Sequence, residues 1–382
     1  MLKVMIVGAG AIAPAHIEGF LSFPERVEIT HISNPTVAKA AALIDKYGLN
    51  AEASSLFDEQ LDAVDIVSIC SPPSTHRDLA VKALEAGKHV LLEKPMAMSL
   101  GECDQILSAA EKGNALISVV AQSRFISSIS NTMKIIHKGD YGKLLFSQIN
   151  SFWWRGQSYY DLYWRGLWES EGGGCTLNHA VHHIDLLLWA KGLPVEVNSF
   201  LTNLNHQNSE EEDLSLSILK YADGTMSQIN ASLIHHGEEQ KLDFQMEKAS
   251  VSIPFAVKAS TPRSNGFPMD DEETINKLSD EYKNLPDLKF EHHAGQVGNF
   301  LDAIEKGTPL AVSGKDGRNS IELISAVYKS AFTGSGVILP LKKDDPYYSF
   351  PSRVEDATRF HKKTKSVKGF DDSTITDFKG RF

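Results

Sequence analysis

The 382-residue chain holds only three cysteines, Cys70, Cys103 and Cys175, far apart and without CxxC spacing. That excludes a disulfide framework and a cysteine-built zinc knuckle, and fits a reducing compartment. No long apolar run is present. The opening MLKVMIVGAG is too short to span a bilayer and leads into a glycine turn, not a cleavage site. We therefore expect a cytoplasmic protein. Basic residues are also in short supply, with a formal net charge of −11. Nothing in that balance attracts nucleic acid or an anionic membrane. Metal-ligand spacing is missing too. His179 and His183 are four apart, but no HExxH accompanies them, so no metal is expected.

What is there reads as two domains and an extension. Residues 1–121 alternate short apolar strands (3–7, 27–33, 64–70, 89–92, 116–121) with helical stretches (11–23, 36–47, 76–86, 100–111). This βαβ rhythm predicts a doubly wound parallel sheet, an α/β Rossmann domain. Beyond residue 122 strands dominate (144–154, 195–204, 214–221, 225–233, 242–246), with Ala222-Asp223-Gly224 as a hairpin turn. Helices are expected at 126–137, 293–306 and 317–332. We read 122–340 as an α+β domain with a large, mostly antiparallel open sheet, and 255–290 as a long surface insertion. The polar tail, 341–382, is expected to wrap the surface or meet a neighbouring subunit.

Gly8-Ala9-Gly10-Ala11-Ile12-Ala13 follows the first strand and opens the first helix. In a GxGxxA turn, Gly8 permits the tight bend, Gly10 lets the backbone approach a diphosphate, and Ala13 keeps helix and strand close. Free N–H groups of Ala11 and Ile12 then face the anion. The second strand ends His31-Ile32-Ser33-Asn34-Pro35 with no acid for a ribose diol. Asn34, beside Ser33, is the substitute. No arginine follows to hold a 2′-phosphate, and Lys39 is the nearest cation. NAD or NADP is expected, with the balance tilted to NAD.

Three further segments carry a family resemblance: Ser71-Pro72-Pro73-Ser74-Thr75-His76, then His89-Val90-Leu91-Leu92-Glu93-Lys94-Pro95, and then Trp164-Arg165-Gly166 with Gly172-Gly173-Gly174-Cys175-Thr176-Leu177-Asn178-His179-Ala180-Val181-His182-His183-Ile184-Asp185. The chain resembles the Gfo/Idh/MocA oxidoreductases, named for glucose–fructose oxidoreductase and inositol dehydrogenase. The resemblance runs to about residue 340. It implies a dehydrogenase of a sugar, cyclitol or related polyol that forms a homodimer or homotetramer. It also implies Lys94 beside the nicotinamide and the reacting carbon, and His182 as the acid–base group. Asn178 occupies a position that is often Asp in the family, and an amide can orient a substrate but not take its proton. Ser71, Pro72, His76 and Glu93 are expected to border the cofactor.

Elementary chemistry agrees. Alcohol oxidation needs a base for the hydroxyl proton while hydride leaves the carbon, and imidazole titrates near neutrality. On one continuous helix Asn178 and His182 share a face. An ammonium at Lys94 steadies alkoxide charge. Arg165, near Trp164, either clamps substrate hydroxyls or packs on an aromatic ring. The aromatic stretch Trp153 to Tyr163 suits either sugar stacking or a core. Glu210-Glu211-Glu212-Asp213 reads as a solvated loop, and His235-His236 and His292-His293 as partly exposed polar pairs. Two competing readings share the scaffold: an enzyme that uses bound NAD transiently to cleave a glycosidic bond, and a non-catalytic dinucleotide sensor.

Overall fold

In the first third of the chain the apolar runs are continuous, as strands buried on both faces require. The computed structural model of the protein describes residues 1–370. Its first sheet has six parallel strands: β1 (Leu2–Val7), β2 (Val27–Ser33), β3 (Glu52–Ser54), β4 (Ile66–Ile69), β5 (His89–Leu92) and β6 (Ile117–Val119). Their order is β3-β2-β1-β4-β5-β6. Strand order reverses between β1 and β4, and ligands bind at such switch points beyond the carboxyl ends of the strands. Helices α1 (Ala13–Leu21), α2 (Val37–Tyr47), α3 (Phe57–Gln60), α4 (His76–Glu85) and α5 (Leu100–Lys112) make the crossovers. The short edge strand β3 has too little periodicity to be read from sequence.

The second sheet collects β7 (Leu144–Phe152), β8 (Glu196–Thr202), β9 (Leu214–Lys220), β10 (Met226–Ser232), β11 (Gln240–Met246), β12 (Ser250–Ile253) and β13 (Val257–Lys258). A small separate hairpin pairs β14 (Ser260–Pro262) with β15 (Pro268–Asp270), and β16 (Val337–Ile338) closes one edge of the large sheet. Its order is β13-β12-β11-β7-β10-β9-β8-β16, antiparallel throughout except for β7 beside β10. Helices α6 (Ser127–Lys138), α7 (Trp168–Glu171), α8 (Cys175–Asn178) and α9 (Val181–Lys191) precede or interrupt the strands. After them come α10 (Glu272–Asn284), α11 (His292–Lys306), α12 (Gly314–Thr333) and α13 (Phe350–Asp356).

Two features depart from the sequence reading. Residues 255–290, read as a long surface insertion, are largely exposed but carry elements that sequence did not assign. They hold β13, the β14–β15 hairpin and α10, where Asp271 caps the helix through Thr274 N–H. The second departure concerns a boundary. Contacts divide the described chain into one unit of Met1–Phe125 with Leu288–Ile321 and another of Ile126–Asp287 with Glu322 onward. Helix α11, read as part of the second domain, belongs to the first. Its Val297, Phe300 and Leu301 lie in one buried cluster with Ile17 and Phe20 of α1. A Cβ on Gly19 would stand 3.2 Å from Val297 Cγ2, so that glycine sets the approach of the two helices. Gln296 adds polar ties, accepting from Ala121 N–H and donating to Val119 O. An amphipathic helix shows which face it buries, but not which sheet supplies the partner.

Residues 341–370 fold onto the second unit. Val367 N–H donates to Asp161 O, Phe360 N–H to Glu210 O, and Asn208 Oδ1 accepts from Thr364 and Lys365 N–H. The tail therefore wraps its own chain. Residues 371–382, the remainder of the expected extension, lie outside the described residues. Among the described residues no helix is long and apolar enough to cross a membrane.

Candidate active site

In the first unit the glycine turn sits at the end of β1. Gly8 has φ of +102°, and a Cβ there would meet Cys70 O at 2.8 Å, so only glycine fits. Gly8 N–H donates to Ser33 O at 2.8 Å. Nothing lies within 4 Å of where a Gly10 Cβ would be, so open space covers that backbone. Helix α1 starts at Ala13 instead of the expected residue 11, and Ile12 at its N-cap makes no side-chain cap. Unsatisfied N–H groups at a helix start form a ready anion site. Gly10→Val therefore separates ligand from fold. We expect melting within a few degrees of wild type, because the side chain meets open space. NADH affinity should fall about 100-fold, matching one or two lost charge-assisted hydrogen bonds at ~1.5–3 kcal/mol each. Fluorescence titration with NADH and a thermal melt check both.

Asn34 has its amide engaged at both ends. Oδ1 accepts from Ala9 N–H at 3.0 Å and Nδ2 donates to Thr36 O at 2.9 Å. It braces the glycine turn from β2.

The Ser71-Pro72-Pro73 turn and the Glu93-Lys94-Pro95 turn end β4 and β5. His76 joins them, with Nε2 2.9 Å from Ser71 O and Nδ1 2.9 Å from Pro95 O. The ring is fully buried, and burial pushes it toward the neutral form. His76 thus serves as a strut between two loops. Glu93 is also buried, at 5% exposure. Its Oε2 accepts from Lys94 N–H at 3.0 Å, and its Oε1 lies 3.0 Å from His16 Nε2. Burial pushes this carboxyl up, but the bond from His16, with His293 and Lys94 nearby, outweighs it and holds Glu93 well below the usual range. Lys94 itself is partly exposed.

In the second unit the glycine run is a packing requirement. A Cβ on Gly173 would stand 2.1 Å from Tyr328 Oη, and one on Gly174 2.2 Å from Glu212 O. Glu212 accepts from Gly174 N–H, Thr176 N–H and Tyr328 O–H, which fixes the start of α8. The 210–213 segment is consequently not a solvated loop: Glu211, Glu212 and Asp213 are fully buried. Asp213 is spent on Leu204 and Asn205 N–H and on His206. Charge patterning misses this because internal hydrogen bonds, not solvent, satisfy the Glu212 and Asp213 carboxylates, while both Glu211 carboxyl oxygens are buried without a hydrogen bond.

Asn178 and His182 do not share one continuous helix. α8 ends at Asn178, His179 and Ala180 break the path, and α9 starts at Val181. The spacing argument from one helix face therefore fails, although both side chains are partly exposed. Asn178 Nδ2 donates to Gly173 O and approaches Glu171 Oε1 at 3.5 Å. Glu171 also holds Arg165, with Nη1 to Oε1 at 3.1 Å, and accepts from Gly166 N–H. The Arg165 guanidinium lies 4.1 Å from the Tyr159 ring centre and 4.3 Å from that of Trp164. Arg165, Trp164 and Asn178 thus share one neighbourhood organised by Glu171, a residue the sequence reading passed over. Burial pushes Glu171 up, while Arg165 offsets part of that rise. Burial, then repulsion from Glu171 and Glu212, pushes Glu211 well above the carboxylate range.

His183, next to the expected acid–base residue, points into the core. Its Nδ1 lies 2.8 Å from Ser151 Oγ, and burial lowers its pKa to about 4. An unfolded histidine titrates near 6.5. The folded value is depressed, so this contribution is complete above 6.5 and is lost as pH falls toward 4. Between pH 7 and 5 the loss amounts to about 2 kcal/mol. Urea midpoints at the two pH values should show it, and His183→Asn should remove that part of the slope.

The comparisons with known proteins bear on the family and the fold. Residues 2–121 match the oxidoreductase family described as an NAD-binding Rossmann fold, and residues 130–252 match the GFO/IDH/MocA C-terminal domain. The chain is 22% identical to inositol 2-dehydrogenase of Salmonella typhimurium (strain LT2), over 91% of this chain and 99% of that one. It is 24% identical to D-glucoside 3-dehydrogenase of Escherichia coli (strain K12), over 88% and 97%. Among solved structures, the WlbA dehydrogenase from Bordetella pertussis in complex with NADH and UDP-GlcNAcA superposes with a TM-score of 0.76 at 25% identity, covering 89% of this chain and 99% of that one. A glycine turn at the switch point, a matched first domain and a matched second domain together place the chain in the Gfo/Idh/MocA family of NAD-binding oxidoreductases.

Proposed function

We propose that the protein oxidises a secondary alcohol of a sugar, cyclitol or related polyol, passing hydride to NAD. The observation that carries the substrate class is Arg165, stacked against Tyr159 and Trp164 and anchored on Glu171. Aromatic faces suit the C–H surface of a sugar ring, and the guanidinium offers fixed donors to its hydroxyls. Relatives named for inositol and glucosides support the class.

His182 takes the hydroxyl proton, Lys94 stabilises the alkoxide that forms, and Asn178, Arg165 and Trp164 orient the ring. When bound, the nicotinamide supplies the hydride chemistry. Gly8, Gly10, Ala11, Ile12 and Ala13 hold the diphosphate, with Ser33, Asn34, Ser71 and Pro72 at the rim. His76 and Glu93 support from beneath. NAD is preferred over NADP: the end of β2 has no arginine, and the Asn34 amide is engaged by backbone. Three buried cysteines with no disulfide among them fit a cytoplasmic setting.

A panel of sugars and cyclitols with NAD and with NADP, followed at the nicotinamide absorbance, tests this reading. Reduction of NAD by at least one polyol is expected. Product formation without net cofactor reduction would overturn it.

The large sheet leaves one face open. Phe200 (79% exposed) lies opposite Leu216 across β8 and β9, with Ile218 two residues along the strand and Ile338 at the edge. Exposed apolar patches on a sheet mark association surfaces. A second copy of the chain covers this face, giving a homodimer or homotetramer. Light scattering should report an oligomer for wild type and a monomer for Phe200→Glu/Ile218→Glu.

A further inference from the structure

In the first unit two histidines that the chemistry above leaves unused converge on Glu93, the residue that holds the Lys94 loop. His16 comes from the middle of α1, Glu93 from the end of β5 and His293 from the first turn of α11. Nothing in the linear sequence links them. The pair His292-His293 reads from sequence as partly exposed, and His293, 12% exposed in its side chain, also turns toward Glu93.

The geometry is convergent. Glu93 Oε1 lies 3.0 Å from His16 Nε2 and 3.6 Å from His293 Nε2, and all three ligand atoms fall within 4.8 Å of one another. Nitrogen and oxygen ligands about 2.0–2.1 Å from a tetrahedral zinc ion are roughly 3.3 Å apart. The two short edges of this triangle bracket that value. Ser68 Oγ lies 2.7 Å from Nδ1 of His16 and fixes the ring with Nε2 toward Glu93, the outer-shell tie that metal-binding imidazoles carry. His293 Nε2 is buried with no hydrogen-bond partner. A buried polar atom in that condition calls for a bound group.

We propose that His16, Glu93 and His293 form a binding site for one divalent ion of the zinc class. Two imidazoles and one carboxylate suit zinc or cobalt. Magnesium and calcium, which take oxygen ligands, do not fit. On binding, the ion takes the place of the proton on His16 Nε2, that proton passes to Nδ1 where Ser68 Oγ accepts it so that the imidazole stays neutral, and His293 closes by a few tenths of an ångström. The ion then ties α1, β5 and α11 together beneath the loop that carries Lys94. The site is independent of the substrate reading.

The test uses the full chain after chelator treatment and dialysis. Titration with ZnCl2 by calorimetry should give one ion per chain, and Co2+ should develop the visible absorption of a tetrahedral centre. Zinc should also raise the melting temperature. His293→Ala, at a partly exposed first-turn position, should keep the fold by circular dichroism. It should weaken zinc binding by more than the roughly 10–100-fold that an outer-shell change costs, and abolish the melting shift. Glu93→Gln should do the same. Absence of stoichiometric zinc binding, or equal binding by wild type and His293→Ala, would overturn the proposal.

Discussion

Lys94→Ala should lower turnover by about 10²–10³, the usual cost of removing one fixed donor from a developing oxyanion, while NADH affinity changes only a few-fold. The split follows from how the loop is built. The Lys94 backbone is held by Glu93, whose Oε2 accepts its N–H, and the following Pro95 carbonyl is held by His76. Neither tie uses the lysine side chain. Truncation thus removes the ammonium and leaves the loop in place. Lys94→Arg should recover little, because a planar fork cannot stand in for a compact point charge at one oxygen. Steady-state rates on the best polyol of the panel, beside NADH titration, check the prediction. Equal loss of NADH affinity and turnover would make Lys94 a cofactor anchor instead.

His182→Gln should lower turnover by about 10²–10⁴ at neutral pH, the range for a lost general base. Its rate should climb with pH as hydroxide replaces the imidazole, whereas wild type should level off. His182 lies in the first turn of α9, partly exposed, so its replacement disturbs no core packing. The neighbouring His183 is the reverse case, fully buried beside Ser151. His183→Asn should therefore shift stability and leave the pH–rate profile alone. The adjacent histidines are told apart by which measurement each one moves.

Local signals in the sequence were enough for the parallel sheet, the glycine turn, and the hairpin at Ala222–Gly224. Each is written in consecutive residues: a buried apolar run, a GxGxxA spacing, a turn tripeptide. What escaped was set by partners far along the chain. Helix α11 shows an apolar face, but its packing on α1 depends on Gly19 and Val297, which are 278 positions apart in the numbering. Glu212 and Asp213 look solvated because their donors, such as Gly174, Thr176 and Leu204, lie at other places in the sequence. Glu171 carried one available signal, its spacing of six from Arg165, which is too common to single out. Asn178 and His182 look like one helix face because nothing at His179-Ala180 marks a break. Neither residue is a glycine or a proline, and backbone bonding such as Ala180 N–H to Cys175 O makes the step.

The most direct test of the central claim is isotope transfer. A polyol deuterated at the carbon to be oxidised is incubated with NAD and enzyme, and the recovered reduced cofactor is examined by mass spectrometry. Deuterium on the nicotinamide ring, absent with Lys94→Ala over the same interval, is the predicted result. Oxidised polyol accompanied by reduced cofactor that carries no deuterium would contradict it.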